Sequence, residues 1–206
     1  QSIPESVSSI GDYAFANCSA LWTVTFQGAA APSIAAAAFS GITARCHVPE
    51  YASSWASTVN KNYGGTLTWS IGSGVCGTSA NWFLGFDGTL TISGTGNMYN
   101  YSSANSYGWY SVREQVKSVV ISEGITSISD YAFYGCSNLT SVSIADSVTK
   151  IGTGTYTGYS YGHCFYDCTS LTQITITKNV REIAYSAFSG CHNLTTINVA
   201  SGNTAF

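Results

Sequence analysis

The side chains of this sequence with the greatest chemical reactivity are three histidines and seven cysteines. Imidazole and thiolate groups are common zinc ligands, and they also serve as general bases and nucleophiles. His163, Cys164 and Cys168 lie close together, and Cys191 and His192 follow one repeat later. Folding could unite them in a zinc site or a cysteine–histidine pair. The chain has no Cys-x-x-Cys zinc spacing, so these residues must be judged from the elements that hold them.

Those elements are sequence repeats. Four segments share the pattern Ile, then Ala-Phe-x-x-Cys-x-x-Leu, then a tail of alternating apolar residues, and they span residues 6–26, 124–144, 147–176 and 179–199. A degenerate fifth copy at 36–41 keeps Ala38 and Phe39. The alternating tail predicts a short strand, and the Ala-Phe-x-x-Cys segment predicts one helical turn at most. A single copy cannot bury its own apolar face, so the copies are predicted to stack into a solenoid with ladders of equivalent residues.

The repeat frame argues against chemistry at the histidines. His163 stands at the slot that Tyr13 and Tyr131 fill in other copies, and His192 follows the ladder residue Cys191, which should point it to solvent. Repeat position thus explains both residues without a site.

The cysteines repeat with the frame as well, because four copies have one at the same slot. Buried free cysteine acting as a small hydrophobe explains this ladder better than zinc does. We therefore predict no catalytic residue, no metal site and no cofactor. Two alternatives stay open: a Cys46–Cys76 disulfide, and a hydrolase, which would need an acidic pair or a nucleophile next to a base.

The copy Ser127-Ile128-Ser129-Asp130-Tyr131-Ala132-Phe133-Tyr134-Gly135-Cys136-Ser137-Asn138-Leu139-Thr140-Ser141-Val142 resembles the BspA-type leucine-rich repeats of bacterial cell-surface proteins. The resemblance covers residues 3–26 and 118–199. It implies a leucine-rich-repeat solenoid, which is a strand-rich α/β right-handed superhelix with short helical turns. It also implies a secreted or wall-attached protein that adheres to host proteins or other cells.

The repeat is lost in the middle of the chain. Residues 51–61 have apolar residues four apart, which is typical of a short amphipathic helix. Further on, Asp87-Gly88 between two alternating segments predicts a β-hairpin. The block from Gly74 to Gly96 resembles one that precedes BspA-type repeats, and we interpret it as a cap. The predicted domains are residues 1–69 (the end of a first repeat array, with a closing strand and helix), 70–116 (a hairpin-containing cap) and 117–206 (a second array that is incomplete at its C-terminus).

The composition limits the partners. Only 8% of the residues are charged, and the formal net charge of −3 comes without a basic cluster, so nucleic acid is not an expected partner. No stretch approaches the roughly 20 apolar residues that span a bilayer, so we expect no membrane insertion within this fragment.

Two surfaces are candidates for binding. One is the outward face of the predicted strands, with Ser141, Ser143, Gln173, Thr175, Thr196 and Asn198. The other is an insertion of about nine residues in the third copy, within residues 152–162, which contains Tyr156, Tyr159 and Tyr161. Tyrosine gives a large amphipathic contact area at low entropic cost. We therefore expect a non-catalytic extracellular adhesion module that recognises a host or neighbouring-cell protein or glycan. The alternative is a structural spacer with no ligand of its own.

Overall fold

The computed structural model describes residues 1–49, 53–55, 57–59, 61–153 and 162–206. The chain forms two compact units, Gln1–Gly72 and Ser73–Phe206, which are unit 1 and unit 2 below. The predicted division at residues 69/70 and 116/117 stays a prediction. Within the described ranges, no helix is both long enough and apolar enough to cross a membrane.

Unit 1 consists of short parallel strands that recur once per repeat. They are β1 (Ser2–Ile3), β2 (Ser9–Ile10), β3 (Thr23–Phe26), β4 (Ser33–Ile34), β5 (Thr43–His47) and β6 (Thr66–Val75), the last of which runs on past the end of the unit. β3 pairs with β1 and β5, β5 also pairs with β6, and β2 pairs with β4. Side chains alternate along β3, where Val24 and Phe26 are buried and Thr25 is exposed. This is the predicted period-two pattern.

Unit 2 contains the remaining strands. They are β7 (Ser79–Gly85), β8 (Thr89–Asn97), β9 (Ser118–Ile121), β10 (Ile125–Ile128), β11 (Ser141–Ile144), β12 (Lys150–Ile151), β13 (Gln173–Ile176), β14 (Glu182–Ile183) and β15 (Thr196–Val199). β8, β9 and β11 pair side by side in parallel, as do β13 and β15. On a second side of the coils, β8, β10, β12 and β14 also pair in parallel.

The hairpin predicted around Asp87-Gly88 is confirmed. β7 and β8 are antiparallel, with Trp82 opposite Ile92 and Leu84 opposite Leu90. These four side chains are buried. The hairpin therefore presents a continuous apolar face to the core, where the Trp82 ring lies 5.7 Å from that of Trp109.

Helix is limited to two 3₁₀ segments among the described residues, Ser53–Trp55 and Tyr110–Gln115. The Ala-Phe-x-x-Cys segments form hydrogen-bonded turns, in which the cysteine amide donates to the phenylalanine carbonyl. In the predicted helix at 51–61, the described residues include one 3₁₀ turn (Ser53–Trp55) and a turn at 57–59, and Trp55 and Val59 are both buried as the spacing indicated. The fold is thus a solenoid of strands and turns.

Aromatic ladders form the core of the coils, where a coil is one turn of the solenoid. In unit 2, Phe133 and Phe165 stack at 5.0 Å between ring centroids, and Phe188 follows Phe165 at 5.4 Å. In unit 1, Phe39 of the degenerate copy is buried and stacks on Phe15 at 5.1 Å. The predicted ladders are therefore present in both units.

The structure also contains a coil that the repeat pattern did not identify. Trp109 extends the phenylalanine ladder, with its ring 5.8 Å from that of Phe133, and its indole N–H donates to the Ala132 carbonyl. Val112 and Val116 are buried below it, at the positions of the usual cysteine and leucine. The coil was missed because all three ladder residues differ in type from the repeat, although Trp109 precedes Phe133 by the same 24 residues that separate Phe15 from Phe39.

Candidate functional site

The outward face of the strands in unit 2 is an exposed row of hydroxyl and amide groups. Its six exposed members, which we call the strand face, are Ser141 and Ser143 on β11, Gln173 and Thr175 on β13, and Thr196 and Asn198 on β15. In-register pairing places Gln173 beside Thr196 and Thr175 beside Asn198. The burial patterns of β11 and β13 agree with the predicted alternation, whereas all four residues of β15 are exposed. None of the six side chains carries a formal charge, and their role as a binding site stays a prediction.

The strand-face side chains make no hydrogen bonds to other described residues, whereas the hydroxyls that flank the strands do. Thr140, Thr149 and Thr195 each donate to a backbone carbonyl of the preceding coil, 23 residues earlier, at 3.0–3.2 Å. These flanking hydroxyls hold adjacent coils together. The donors and acceptors of the strand face are not used in this way within the described structure, so they are available to a ligand.

The asparagines of two Asn-Leu-Thr sequences also stabilise the coils. The side-chain amide of Asn138 donates to the Glu114 carbonyl at 2.7 Å, and that of Asn193 donates to the Thr169 carbonyl at 2.7 Å. Both sequences match the Asn-x-Thr pattern of glycosylation sites. They recur because each asparagine amide bridges neighbouring coils.

The tyrosine insertion is described only at its two ends, because Tyr156, Tyr159 and Tyr161 lie outside the described residues. At its start, the buried carboxylate of Asp130 accepts hydrogen bonds from the backbone N–H and the hydroxyl of Thr153, both at 2.6 Å. At its end, Gly162 donates to the Tyr185 carbonyl, and Tyr131 donates to the Gly162 carbonyl. Both ends are therefore fixed to neighbouring coils.

His163 lies in a cluster of rings that we call the aromatic patch: Tyr131, Tyr134, His163 and Tyr166. The imidazole lies 5.2 Å from the Tyr131 ring and 4.9 Å from the Tyr166 ring, between centroids. Tyr134 and Tyr166 stack in parallel at 5.0 Å. All four side chains are half-buried. His163 fills the slot of Tyr13 and Tyr131, as its repeat position predicted. The patch itself was not predicted, and its signal in the sequence is a tyrosine after the ladder phenylalanine in two successive copies.

The cysteine ladder is packed and hydrogen-bonded. The thiol of Cys168 donates to the Phe133 carbonyl at 3.2 Å, and that of Cys191 donates to the Phe165 carbonyl at 2.9 Å. The adjacent Cys191 thiol and burial raise the pKa of Cys168, so its thiol is protonated at neutral pH. A protonated thiol is a poor nucleophile and a poor zinc ligand. The hydrogen bond with Cys168 lowers the pKa of Cys191, but the Cys191 thiol is buried and donates to the Phe165 carbonyl, so both side chains take part in packing and hydrogen bonding between coils.

All seven cysteines are free thiols, including Cys46 and Cys76. Burial raises the pKa of each of these two to about 12. In the described parts of the chain, no group of three or more His, Cys, Asp or Glu side chains could hold a metal ion.

A serine–histidine pair in unit 1 lies within hydrogen-bond reach. The Ser70 hydroxyl and His47 Nδ1 share a hydrogen bond in unit 1. Ser70 is fully buried, so a substrate cannot reach its hydroxyl, and no described carboxylate orients the imidazole. Desolvation and the nearby Arg45 lower the pKa of His47, which keeps the ring neutral as a partner for the serine. This geometry fits a buried polar pair better than a catalytic dyad.

Comparison with known families agrees with the ladders and the strand register. The BspA type Leucine rich repeat region matches residues 1–52 and 102–205 in six copies, which is well over half of the chain. The chain belongs to the BspA-type leucine-rich-repeat family. The matched residues of this BspA-type chain include the coil at Trp109, which the repeat pattern alone did not identify.

Solved structures of bacterial leucine-rich-repeat proteins are similar to this BspA-type chain. A leucine-rich repeat protein from Eubacterium ventriosum is 28% identical over 64% of the chain and 45% of its own length, with a TM-score of 0.41. One from Bacteroides ovatus is 22% identical over 98% and 55%, with a TM-score of 0.41. A leucine rich cell surface protein from Faecalibacterium prausnitzii is 21% identical over 97% and 59%, with a TM-score of 0.31.

The BspA-type chain thus spans about half the length of these structures. No curated protein matches it.

Proposed function

We propose that this chain is a non-catalytic binding and adhesion module of a secreted or cell-surface protein. It recognises a protein or glycan of a host or neighbouring cell through the strand face and the tyrosine insertion. No cofactor takes part. The observation that carries the proposal is the contrast between two sets of hydroxyls: those flanking the strands hydrogen-bond to adjacent coils, and those of the strand face do not.

The family supports a binding or scaffold role for the chain. The distribution of charge favours a ligand that is itself uncharged, because the strand face has no ionisable group and the whole chain has few. A polar and uncharged face can hydrogen-bond a polypeptide backbone or sugar hydroxyls without first having to desolvate ions.

A binding screen tests the proposal. The chain is immobilised and exposed to extracellular-matrix proteins and to a glycan array, beside a deletion of residues 152–162 and the double variant Ser141→Glu/Ser143→Glu. Two carboxylates on the strand face should abolish binding, because each would be desolvated at the interface without a partner. The matched control is Ser102→Glu/Ser201→Glu, which adds the same charges at two other exposed serines.

Saturable binding that the strand-face variant loses and the control keeps would support the proposal. Loss in the deletion alone would assign recognition to the insertion. Absence of binding by the wild-type chain to every probe would contradict the proposal and favour a structural spacer.

A further inference from the structure

The aromatic patch is a group of four half-buried rings, and nothing in the repeat requires it. Tyr134 and Tyr166 follow the ladder phenylalanines Phe133 and Phe165, but the equivalent residues in unit 1 are Ala16 and Ser40. The fold therefore tolerates small residues at this slot. The rings of unit 2 are an addition to the scaffold.

The aromatic patch ends abruptly at the next coil. In the coil after His163 and Tyr166, the same two slots are filled by Ser186 and the exposed Ser189. These two slots hold no ring in that coil, so the last stacked side chains of the patch are followed by small hydroxyl groups. The edge thus combines aromatic surface with hydroxyls.

Charged groups lie at the rim, namely the Arg113–Glu114 ion pair, with 3.7 Å between Nη2 and Oε1, and Asp167. The Arg113 guanidinium covers the Tyr110 ring at 4.3 Å, and its Nε lies 3.5 Å from the position a Cβ on Gly135 would take, next to Tyr134. On the other side, the carboxylate of Asp167 lies against Gly190. Burial and the Asp167 carboxylate raise the pKa of Tyr134, so its hydroxyl stays protonated and can donate.

We infer that the aromatic patch, with Arg113 and Asp167 at its rim, is a binding site for a neutral oligosaccharide. The apolar C–H face of a pyranose ring packs against aromatic rings, whose faces carry partial negative charge. The hydroxyls of the sugar find an acceptor in Asp167, donors in Arg113, and groups that do both in the tyrosines. Because Arg113 is paired with Glu114, the Asp167 carboxylate leaves the rim with a net negative charge, which favours an uncharged ligand over an acidic one.

The surroundings of the patch favour a sugar over a protein partner. A stable protein interface buries about 800 Å² on each side and has an apolar core. In the next coil, the slots that follow His163 and Tyr166 hold Ser186 and Ser189, which provide no aliphatic surface. A few sugar units would cover four rings and contact this hydroxyl-rich border directly.

The test uses the whole chain on an array of neutral oligosaccharides, printed beside sialylated and sulfated forms of the same glycans. Tyr166→Ala should weaken binding of the neutral glycans about tenfold or more, since it removes a stacking face worth about 1.4 kcal/mol. Tyr166→Phe keeps the ring and should retain binding within about threefold. Asp167→Asn should also weaken binding, because it replaces a charged acceptor. The matched control is Tyr13→Ala, because Tyr13 fills the Tyr131 slot in unit 1 and is 66% exposed.

Binding of neutral glycans that Tyr166→Ala loses, and that Tyr166→Phe and Tyr13→Ala keep, establishes the site. Binding confined to the charged glycans or to polypeptides overturns it, as does the absence of a signal from the wild-type chain. Retention of binding by Tyr166→Ala overturns it as well. The part of the signal that Tyr166→Ala removes should persist in Ser141→Glu/Ser143→Glu. The strand-face proposal is tested instead by ligands that this double variant loses and Tyr166→Ala keeps, so failure of either proposal is a separate result.

Discussion

Single residues at the cysteine slot stabilise the coils in two ways. Their side chains fill space beneath the ladder phenylalanines, and the thiols of Cys168 and Cys191 donate to carbonyls of the coil before. The repeat pattern predicted the packing, because four cysteines share one slot. It could not predict the hydrogen bonds, since these depend on where the phenylalanine carbonyl of another coil points.

The first prediction concerns this slot. Cys168→Ala should lower the free energy of unfolding by about 1–2 kcal/mol, because it leaves a small cavity and removes the donor to the Phe133 carbonyl. Urea denaturation measures the change. Cys18→Ala is the control, because Cys18 fills the same slot in unit 1 but is exposed. Equal destabilisation by the two substitutions would show that the position in the repeat, rather than burial, determines the loss of stability.

A second prediction concerns pH and the His47–Ser70 pair. Folding lowers the pKa of His47 below its ordinary value of 6.5. As the pH falls below 6.5, the unfolded chain therefore takes up a proton before the folded chain does, and the free energy of unfolding decreases. This contribution to stability is complete above pH 6.5 and is lost as the pH falls through the lowered pKa. Urea midpoints between pH 5 and pH 8 should therefore show a smaller acid loss in His47→Gln than in the wild-type chain. His192→Gln, at an exposed histidine, should keep the wild-type profile; no difference between the variants would contradict this account.

At the scale of elements, prediction from sequence succeeded where one short pattern determines local geometry. The Asp87-Gly88 turn and its flanking alternation were sufficient to predict β7 and β8. The coil at Trp109 was not predicted, because a ladder selects for volume and contact, and Trp109, Val112 and Val116 meet those requirements with other residue types. The six strand-face residues were predicted from alternation alone. The aromatic patch was not, because its four rings come from two copies 32 residues apart.

The hairpin turn gives the third prediction. Gly88 has a φ of +86°, and a Cβ there would lie 2.7 Å from the Gln115 carbonyl oxygen. Gly96 has a similar φ of +82° but has open space around it. Gly96→Ala should therefore cost about 1 kcal/mol of stability from backbone strain, and Gly88→Ala should cost more, about 2–3 kcal/mol, because a neighbouring segment must move. Thermal and urea unfolding measure the loss of stability in each variant. Equal losses would show that the Gln115 carbonyl moves away from the new Cβ at no cost.

At the scale of the whole molecule, stability comes from contacts between adjacent coils, as expected for a repeat protein. The aromatic ladder in unit 2 shows this directly. Phe165 is fully buried between the rings of Phe133 and Phe188, whereas Phe188 is only half-buried. The position of a residue along the ladder, rather than its type, sets how much it contributes.

This ordering gives the fourth prediction. Phe165→Ala should lower the free energy of unfolding by about 3–5 kcal/mol, because it opens a cavity between two stacked rings. Phe188→Ala should lower it by clearly less, since solvent already reaches that ring. Urea denaturation followed by circular dichroism measures both. If Phe188→Ala were as damaging as Phe165→Ala, stacking on both sides would not be the source of the stability.

The hydrogen bonds between coils also determine what an insertion costs the fold. Most of these bonds join residues about 23 positions apart, but across the tyrosine insertion the separation is 32. Loop-closure entropy grows only with the logarithm of length, so this coil closes at a penalty of about 0.3 kcal/mol relative to its neighbours. The start of the loop is held where Thr153 donates to Asp130, and its end is held where Gly162 donates to the Tyr185 carbonyl. Changes in the length of the loop between these two points therefore cost the coil little. The scaffold thus offers a position where new binding surface can be acquired by lengthening the chain, at little thermodynamic expense.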